Sequence, residues 1–412
     1  MEIKRRRSLT NVGGAIDTSG DPKKADLLSH ALEVAPDERE DAPDRAHVHG
    51  FHTYPARAHP VTARRLVEAF AKPGETVLDP FCGSGTILCE AMLAGRAAVG
   101  VDLNPIAVML ARAKTYPHAK EKTEALVAAA KEVAAYADER RKARAGARKR
   151  LPDEDVASFD MHVLLELASL RDGIDKKAPP ATRPELSLVL SSILVKVSKK
   201  KGDTSLESGD PKRIAAGYPA KLFVKRAEDL ARRFDAFAEL LPQPFPKARV
   251  VQDDAAALTK VDDKSVDAII TSPPYVATYD YLAHHELRMR WLGLDERDLA
   301  DKELGARRRY SKLTAEQATR SWERELERLF VSLGRVAKKG APLVLLIADS
   351  AIGGPRPQAL RADTIVAAVA EKTRRFSPIA RASQARPHFH APTEAAFRDQ
   401  PRKEHLLLLR RG

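Results

Sequence analysis

Short apolar runs alternate along this chain with longer stretches whose apolar residues recur at helical spacing. The runs at residues 76–78, 97–101, 249–252, 266–270, 342–347 and 404–409 predict strands. Residues 61–70, 86–94, 105–114 and 321–336 predict helices, with Pro105 suited to a first helical turn. Strands that alternate with helices in this way predict an α/β fold with a doubly wound, mostly parallel sheet. Between the second and third strands, residues 122–150, 186–197 and 219–241 predict a long helical insertion over about 116–247. Residues 8–44 are polar and rich in Asp, Lys, Gly and Pro, so 1–47 is expected to be a poorly ordered tail.

Two strand ends carry candidate chemistry. The run Val77-Leu78 leads into Asp79-Pro80-Phe81-Cys82-Gly83-Ser84-Gly85-Thr86, a Gly-x-Gly turn opening a helix. Glycines there let backbone N–H groups approach a ligand, and the helix start adds a positive end. The next strand ends at Asp102, placed to accept hydrogen bonds from ribose hydroxyls and followed by Leu103-Asn104. Further on, Asp253-Asp254 close the third strand, where a carboxylate can accept from an adenine amino group. The second element is Thr271-Ser272-Pro273-Pro274-Tyr275, which follows the strand at 266–270. It offers hydroxyl and carbonyl acceptors to an NH2 group, prolines that hold them rigid, and an aromatic face for a flat ring. A proline-rich turn after a strand is the plainer alternative.

DPFCGSGT, then VGVDLNP, then TSPPY closely resembles the S-adenosylmethionine-dependent amino-methyltransferases of DNA. Ser272 in place of an Asp is most like the cytosine-N4 enzymes. Tyr54-Pro55-Ala56, within the segment from His52 to Pro60, resembles the family motif that helps close the cofactor pocket. The family resemblance of these motifs also favours Asp254 over Asp253 for the adenine amino group. The resemblance covers about 48–115 and 248–412, which it makes the catalytic domain, and leaves 116–247 as a basic insertion and possible target-recognition region. It implies a Rossmann-like sheet whose last strand is antiparallel, and S-adenosyl-L-methionine as cofactor. It further implies methyl transfer to cytosine N4 in base-flipped, double-stranded DNA, without a covalent intermediate. Ser272 and the Pro273 carbonyl would accept from the amine, and Tyr275 would stack on the extruded base. Adenine N6 is an alternative acceptor. So is RNA, because the tRNA guanine-N2 methyltransferases carry a similar cofactor loop, usually with Asp-Pro-Pro-Tyr. A non-catalytic nucleic-acid binder of this fold is the remaining reading.

Charge and composition fit a polyanionic partner: formal net charge is +13, and Lys4–Arg7 and 140–150 are basic runs. The two cysteines, Cys82 and Cys89, are poorly placed for a disulfide and too few for zinc, so a reducing, cytoplasmic setting is expected. No apolar run approaches a membrane span. Other residues are weaker candidates. Cys82 lies in the cofactor turn rather than beside a proline as a C5-type nucleophile would. His284-His285-Glu286 lacks the second His of a metal site and reads as a surface or substrate-contacting helix, so no metal is expected. Arg307-Arg308-Arg309 could clamp phosphates or simply be solvated, Asp349-Ser350 could border the pocket, and His388 and His390 read as core or loop residues.

Overall fold

A computed structural model describes residues 14–37, 39, 41–144, 152–200, 202, 213–353, 357–386 and 391–412. The strands of the described residues, in chain order, are β1 (Ile16–Gly20), β2 (Thr76–Asp79), β3 (Ala97–Asp102), β4 (Ala248–Gln252), β5 (Ala268–Thr271), β6 (Pro342–Ala348), β7 (Ser350–Ile352), β8 (Gln358–Leu360), β9 (Phe376–Ala385) and β10 (Lys403–Arg411). Eight form one sheet in the order β1-β9-β10-β6-β5-β2-β3-β4, while β7 and β8 pair separately. Strands β4, β3, β2, β5 and β6 are mutually parallel. The closing strand β10 runs antiparallel to both β6 and β9, as expected.

Residue alternation along the central strands explains why both faces are covered. Val77, Ile270, Val344, Leu406 and Leu408 belong to one buried cluster, whereas Leu78, Ile269, Leu343, Leu345, Leu407 and Leu409 belong to the other. A strand with two apolar faces must sit between helical layers. On one side lie the helices Thr86–Leu93, Pro105–Thr115 and Pro60–Phe70; on the other lie Ala315–Val336 and Ala362–Lys372. The insertion forms the helices Lys120–Lys142, Met161–Lys177, Arg183–Val197 and Tyr218–Leu240, and its buried leucines and phenylalanines continue the first cluster. One remote contact fixes its last helix: the buried Glu166 carboxylate accepts the Gly217 and Ala220 backbone N–H groups, each at 2.9 Å. Those are donors that a helix start otherwise leaves unpaired.

The N-terminal stretch expected to be poorly ordered departs from that reading. Its residues Ile16–Gly20 add β1 antiparallel to β9, and Pro22–Leu32 form a helix capped by the Asp21 side chain. Ala25, Leu28, Ala31 and Leu32 bury one face of that helix in the first core cluster. The basic run Lys4–Arg7, residues 145–150, and His388 and His390 lie outside the described residues.

Because β2, β3, β4 and β5 are parallel, their C-terminal ends meet at one edge of the sheet. The chain leaves β2 for β3 and β4 on one side, then crosses back to β5 on the other. That reversal of direction opens a crevice beside β2, where ligands of open α/β sheets bind.

Candidate active site

One cleft occupies this crevice, and both predicted loops line it. Its walls include Asp79, Pro80, Phe81, Cys82, Gly83, Ser84 and Thr86 from the glycine turn. Asp102, Leu103 and Asn104 come from the end of β3, Asp254 from beyond β4, and Ser272 and Pro274 from beyond β5. Tyr54 and Ala56 close one side. Of the residues singled out by sequence, Pro55, Gly85, Pro273 and Tyr275 do not line it.

Geometry explains the glycine turn. Gly83 has φ +49°, and a Cβ there would sit 3.0 Å from Tyr54 Cε1. Gly85 caps the helix at φ +84°, where a Cβ would meet the Ala111 backbone at 3.1 Å. The Gly83 N–H donates to Asp102 Oδ2 at 2.8 Å, and the Asn104 N–H donates to Oδ1 at 2.8 Å, so one carboxylate braces both loops. Burial pushes the Asp102 carboxyl up to about 6. Asn104 in turn caps the helix Pro105–Thr115, accepting from the Ile106 N–H at 3.0 Å.

Asp79 lies deeper. It is buried, and its Oδ1 accepts the Thr271 hydroxyl at 2.6 Å and the Phe81 N–H at 3.1 Å. The Thr271 bond ties the glycine turn to the strand that delivers Ser272. Burial outweighs these bonds and pushes the Asp79 carboxyl up to about 7. Within the same turn, the Ser84 and Thr86 hydroxyls are buried and have no hydrogen-bond partner among the described residues. Two buried hydroxyls without a partner, each able to donate or accept, thus stand at a helix start in residues that line the cleft. Cys82 is also buried, and burial raises its thiol well above the ordinary range, which keeps it neutral and unsuited to nucleophilic attack.

Between the two predicted acids after β4 the structure makes a distinction. Asp254 faces the cleft, whereas the Asp253 carboxylate accepts from the Thr259 hydroxyl and the Lys260 N–H. An aromatic series runs beside the cleft: Tyr275 and Tyr279 are 6.4 Å apart between ring centroids, Tyr279 and Tyr281 5.8 Å, and Tyr54 lies 6.1 Å from Tyr281.

Other expectations need correction. The helix Tyr281–Leu292 is not a surface helix: His285 is fully buried and stacked on Tyr54 at 5.0 Å, and Leu287, Arg288, Met289 and Trp291 are buried around the helix rather than along one face. Arg308 is held by Asp280 and Glu303, and Arg309 by Glu325, so these two cations answer internal acids. Asp349 is completely buried and accepts from Arg361, His405 and two backbone N–H groups. Its role is to tie β6 to β10, and it does not line the cleft.

The far wall is made by Leu299, Asp301 to Leu304 and Arg309, within the stretch Leu294–Thr314 that the sequence offers as a competing recognition element, and by Glu325 and Arg328 of the helix Ala315–Val336, which sequence reasoning missed. Two charged residues on an amphipathic helix carry no periodic signal that they face a ligand. Sequence reasoning also missed His47, His49 and Glu90, whose nitrogen and carboxylate atoms meet behind the cleft, with His49 Nε2 to Glu90 Oε1 at 2.7 Å. Among the described residues, no helix is long and apolar enough to cross a membrane.

Residues 20–113 match the family of N6 and N4 methyltransferases described as DNA methylase. Type II methyltransferase M.BsoBI of Geobacillus stearothermophilus is 25% identical over 287 residues, covering 62% of this chain and 54% of that protein. Type II methyltransferase M.MvaI of Kocuria varians is 25% identical over 270 residues, covering 60% and 58%. A tRNA (guanine(10)-N2)-dimethyltransferase of Methanothermobacter thermautotrophicus is 46% identical over 52 residues, which is 12% of this chain and 16% of that protein. The chain thus spans a little over half the length of the two longer matches.

Proposed function

We propose that this chain, which resembles the N6/N4 amino-methyltransferases of DNA, methylates the exocyclic N4 amine of cytosine in DNA, using S-adenosyl-L-methionine. The observation that carries the reading is the shared cleft: Ser272 and Pro274 line the same space as Asp79, Gly83, Asp102 and Asp254. The unpaired Ser84 and Thr86 hydroxyls and the close-approach glycine turn fit the polar tail of the cofactor. Asp102 suits its ribose hydroxyls and Asp254 its adenine amine. When bound, the cofactor supplies an electrophilic methyl group on a sulfonium.

The residues of the chain do the rest. An aromatic amine is a poor nucleophile because its lone pair is delocalised into the ring. Acceptors aimed at its N–H bonds favour pyramidal nitrogen and stabilise the positive charge that grows there. In this reading the Ser272 hydroxyl, which lines the cleft, serves as one of those acceptors, and the Pro273 carbonyl, which does not line it, would have to be reached from the cleft to serve as the other. Holding amine and methyl in line accounts for ~7–11 kcal/mol of the barrier. A duplex target must be flipped out at a cost of a few kcal/mol; the stacking role expected of Tyr275 would require its ring to turn toward the cleft, which it does not line. Residues 48–115 and 248–412 form the catalytic domain in this reading, and the basic insertion 116–247 contacts the nucleic acid. Serine in place of aspartate favours cytosine over adenine N6.

An RNA substrate is the second reading, favoured by the short but closer match to a tRNA methyltransferase over 52 residues. Mass spectrometry of nucleosides from DNA and from RNA incubated with the protein and cofactor separates the cases. N4-methylcytosine in DNA is expected; N6-methyladenine would move the acceptor, and a methylated base in RNA alone would move the substrate.

A further inference from the structure

Acceptors that grip an amine do not by themselves tell one base from another, so the ring edge beside the amine must be read from another wall of the cleft. Tyr275 is committed elsewhere: its hydroxyl donates to Glu404 Oε1 at 3.0 Å, and Arg386 Nη2 donates to Glu404 Oε2 at 2.6 Å. The wall that packs on the Ser-Pro-Pro-Tyr loop is the stretch around Gly305. The Gly305 carbonyl accepts the Ala277 N–H at 2.9 Å, and a Cβ on Gly305 would sit 3.3 Å from Val276 Cα and 3.4 Å from the Pro274 carbonyl oxygen. The Gly305 N–H donates to Glu325 Oε2 at 2.9 Å. Glu325 is 3% exposed, and its other oxygen, Oε1, forms an ion pair with Arg309 Nη1 at 3.2 Å. Arg309 Nη1 also donates to the Glu303 carbonyl at 3.1 Å. Arg309 lines the cleft together with Ser272 and Pro274. Direct contacts therefore run all the way from the acceptor loop to this guanidinium.

What those contacts leave unused is informative. Nη1 is engaged twice, whereas Nε and Nη2 of Arg309 have no partner among the described residues. These two donors form one side of the planar guanidinium fork and are spaced to meet two neighbouring acceptors. The ring edges beside the candidate amines differ in that pattern. Beside its N4 amine, cytosine carries N3 and then O2, two acceptors in a row. Beside its N6 amine, adenine carries N1 as an acceptor and then a C–H. Guanine flanks its N2 amine with an N1–H donor on one side and a lone acceptor, N3, on the other. Only cytosine satisfies both free donors.

We propose that Arg309 selects cytosine, its Nε and Nη2 donating to O2 and N3 of the ring whose amine the acceptor loop holds. The proposal deepens the cytosine-N4 reading and rests on it. Glu325 and the Glu303 carbonyl are positioning groups: they fix Nη1 and leave the opposite edge of the guanidinium to the substrate.

The test uses the full chain with Arg309→Lys and Arg309→Met. Lysine keeps a charge beside Glu325 and loses the fork, and methionine loses both. Sequencing of treated plasmid locates the site that the wild type methylates, and a duplex carrying that site is the substrate. Methyl transfer from tritiated cofactor gives kcat/KM, calorimetry gives cofactor affinity, and thermal melting checks folding. Both variants should lose roughly 5- to 150-fold in kcat/KM, the discrimination of one bidentate base contact. Cofactor affinity should stay within about twofold of wild type. A second duplex carries 3-deazacytosine at the target, where a C–H replaces N3 and the amine remains. That replacement should cost the wild type about tenfold more than it costs Arg309→Lys. Equal costs in the two proteins overturn the contact. So does a fully active Arg309→Lys beside an Arg309→Met whose DNA binding loses about one unit of salt slope, which is the pattern of a phosphate contact. If Arg309→Met does not fold, Arg309→Lys and the analogue decide. A wild type that methylates adenine, RNA alone or nothing overturns the cytosine reading and the contact together. A wild type that makes N4-methylcytosine, with both variants as active as it is, overturns the contact only.

Discussion

Replacing Asp79 by asparagine isolates the cost of a buried charge. Both hydrogen bonds to Asp79 end on Oδ1, from the Thr271 hydroxyl and from the Phe81 N–H, and an asparagine carbonyl can accept the same two. What the substitution removes is the ability to ionise. Burial lifts this carboxyl from its ordinary 3.8 to about 7. Between those values the folded protein holds a proton that the unfolded chain releases. Stability contributed by the protonated form is therefore complete below about pH 4 and is lost as pH rises through about 7. The whole displacement corresponds to ~4 kcal/mol, and the portion between about pH 5 and about pH 8 is ~3 kcal/mol. The asparagine side chain has no such dependence, and the other buried acids of the same sign, Asp102 and Glu90, are common to both proteins and cancel. Urea unfolding of ligand-free wild type and Asp79→Asn at the two pH values gives the comparison. The stability difference should move in favour of the variant by ~3 kcal/mol as pH rises. A difference that does not change with pH would refute the claim that burial controls this group.

Two further outcomes follow from packing and from capping. Gly100→Ala on β3 would bring a Cβ to 2.4 Å from Leu88 Cδ1 and 3.1 Å from Cys82 Sγ, displacing the cofactor helix and its turn. A stability loss of about 1–3 kcal/mol by thermal melting, together with weaker cofactor binding, is expected. Glu166→Ala removes the cap on the helix Tyr218–Leu240, so amide exchange at 217–220 should quicken and stability fall by about 1–3 kcal/mol. Calorimetric cofactor affinity should hold, because Glu166 lies outside the cleft.

What could be read from the sequence was the part written in local pattern. The apolar runs of β2 and β5 lead directly into the two motif loops, and residues of both loops line one cleft. Three insertion helices were legible, and the ends expected for the last two lie within three residues of those observed, whereas the helix Met161–Lys177 was not expected. Strand β9 was not legible: FSPIARASQA carries a proline and several polar residues, and it is held by backbone pairing to β10 and β1 rather than by an apolar pattern. In the N-terminal helix, Ala25, Leu28, Ala31 and Leu32 did carry a helical period, with Asp21 and Pro22 as start signals. Its charged and polar surroundings hid that signal, because average composition is a coarser measure than spacing. The Arg386–Glu404 pair could not have been read at all, since only the β9–β10 register brings those side chains beside Tyr275.

The added strand β1 has a practical consequence. It pairs with Ala380–Gln384 on the outer side of β9, whose backbone groups there would otherwise form an open rim. Trimming the chain to begin at the first recognisable motif would uncover that rim and offer it as a template to neighbouring molecules. Poor solubility of such a shortened protein would then reflect an unsealed edge, and would say nothing against the chemistry of the cleft.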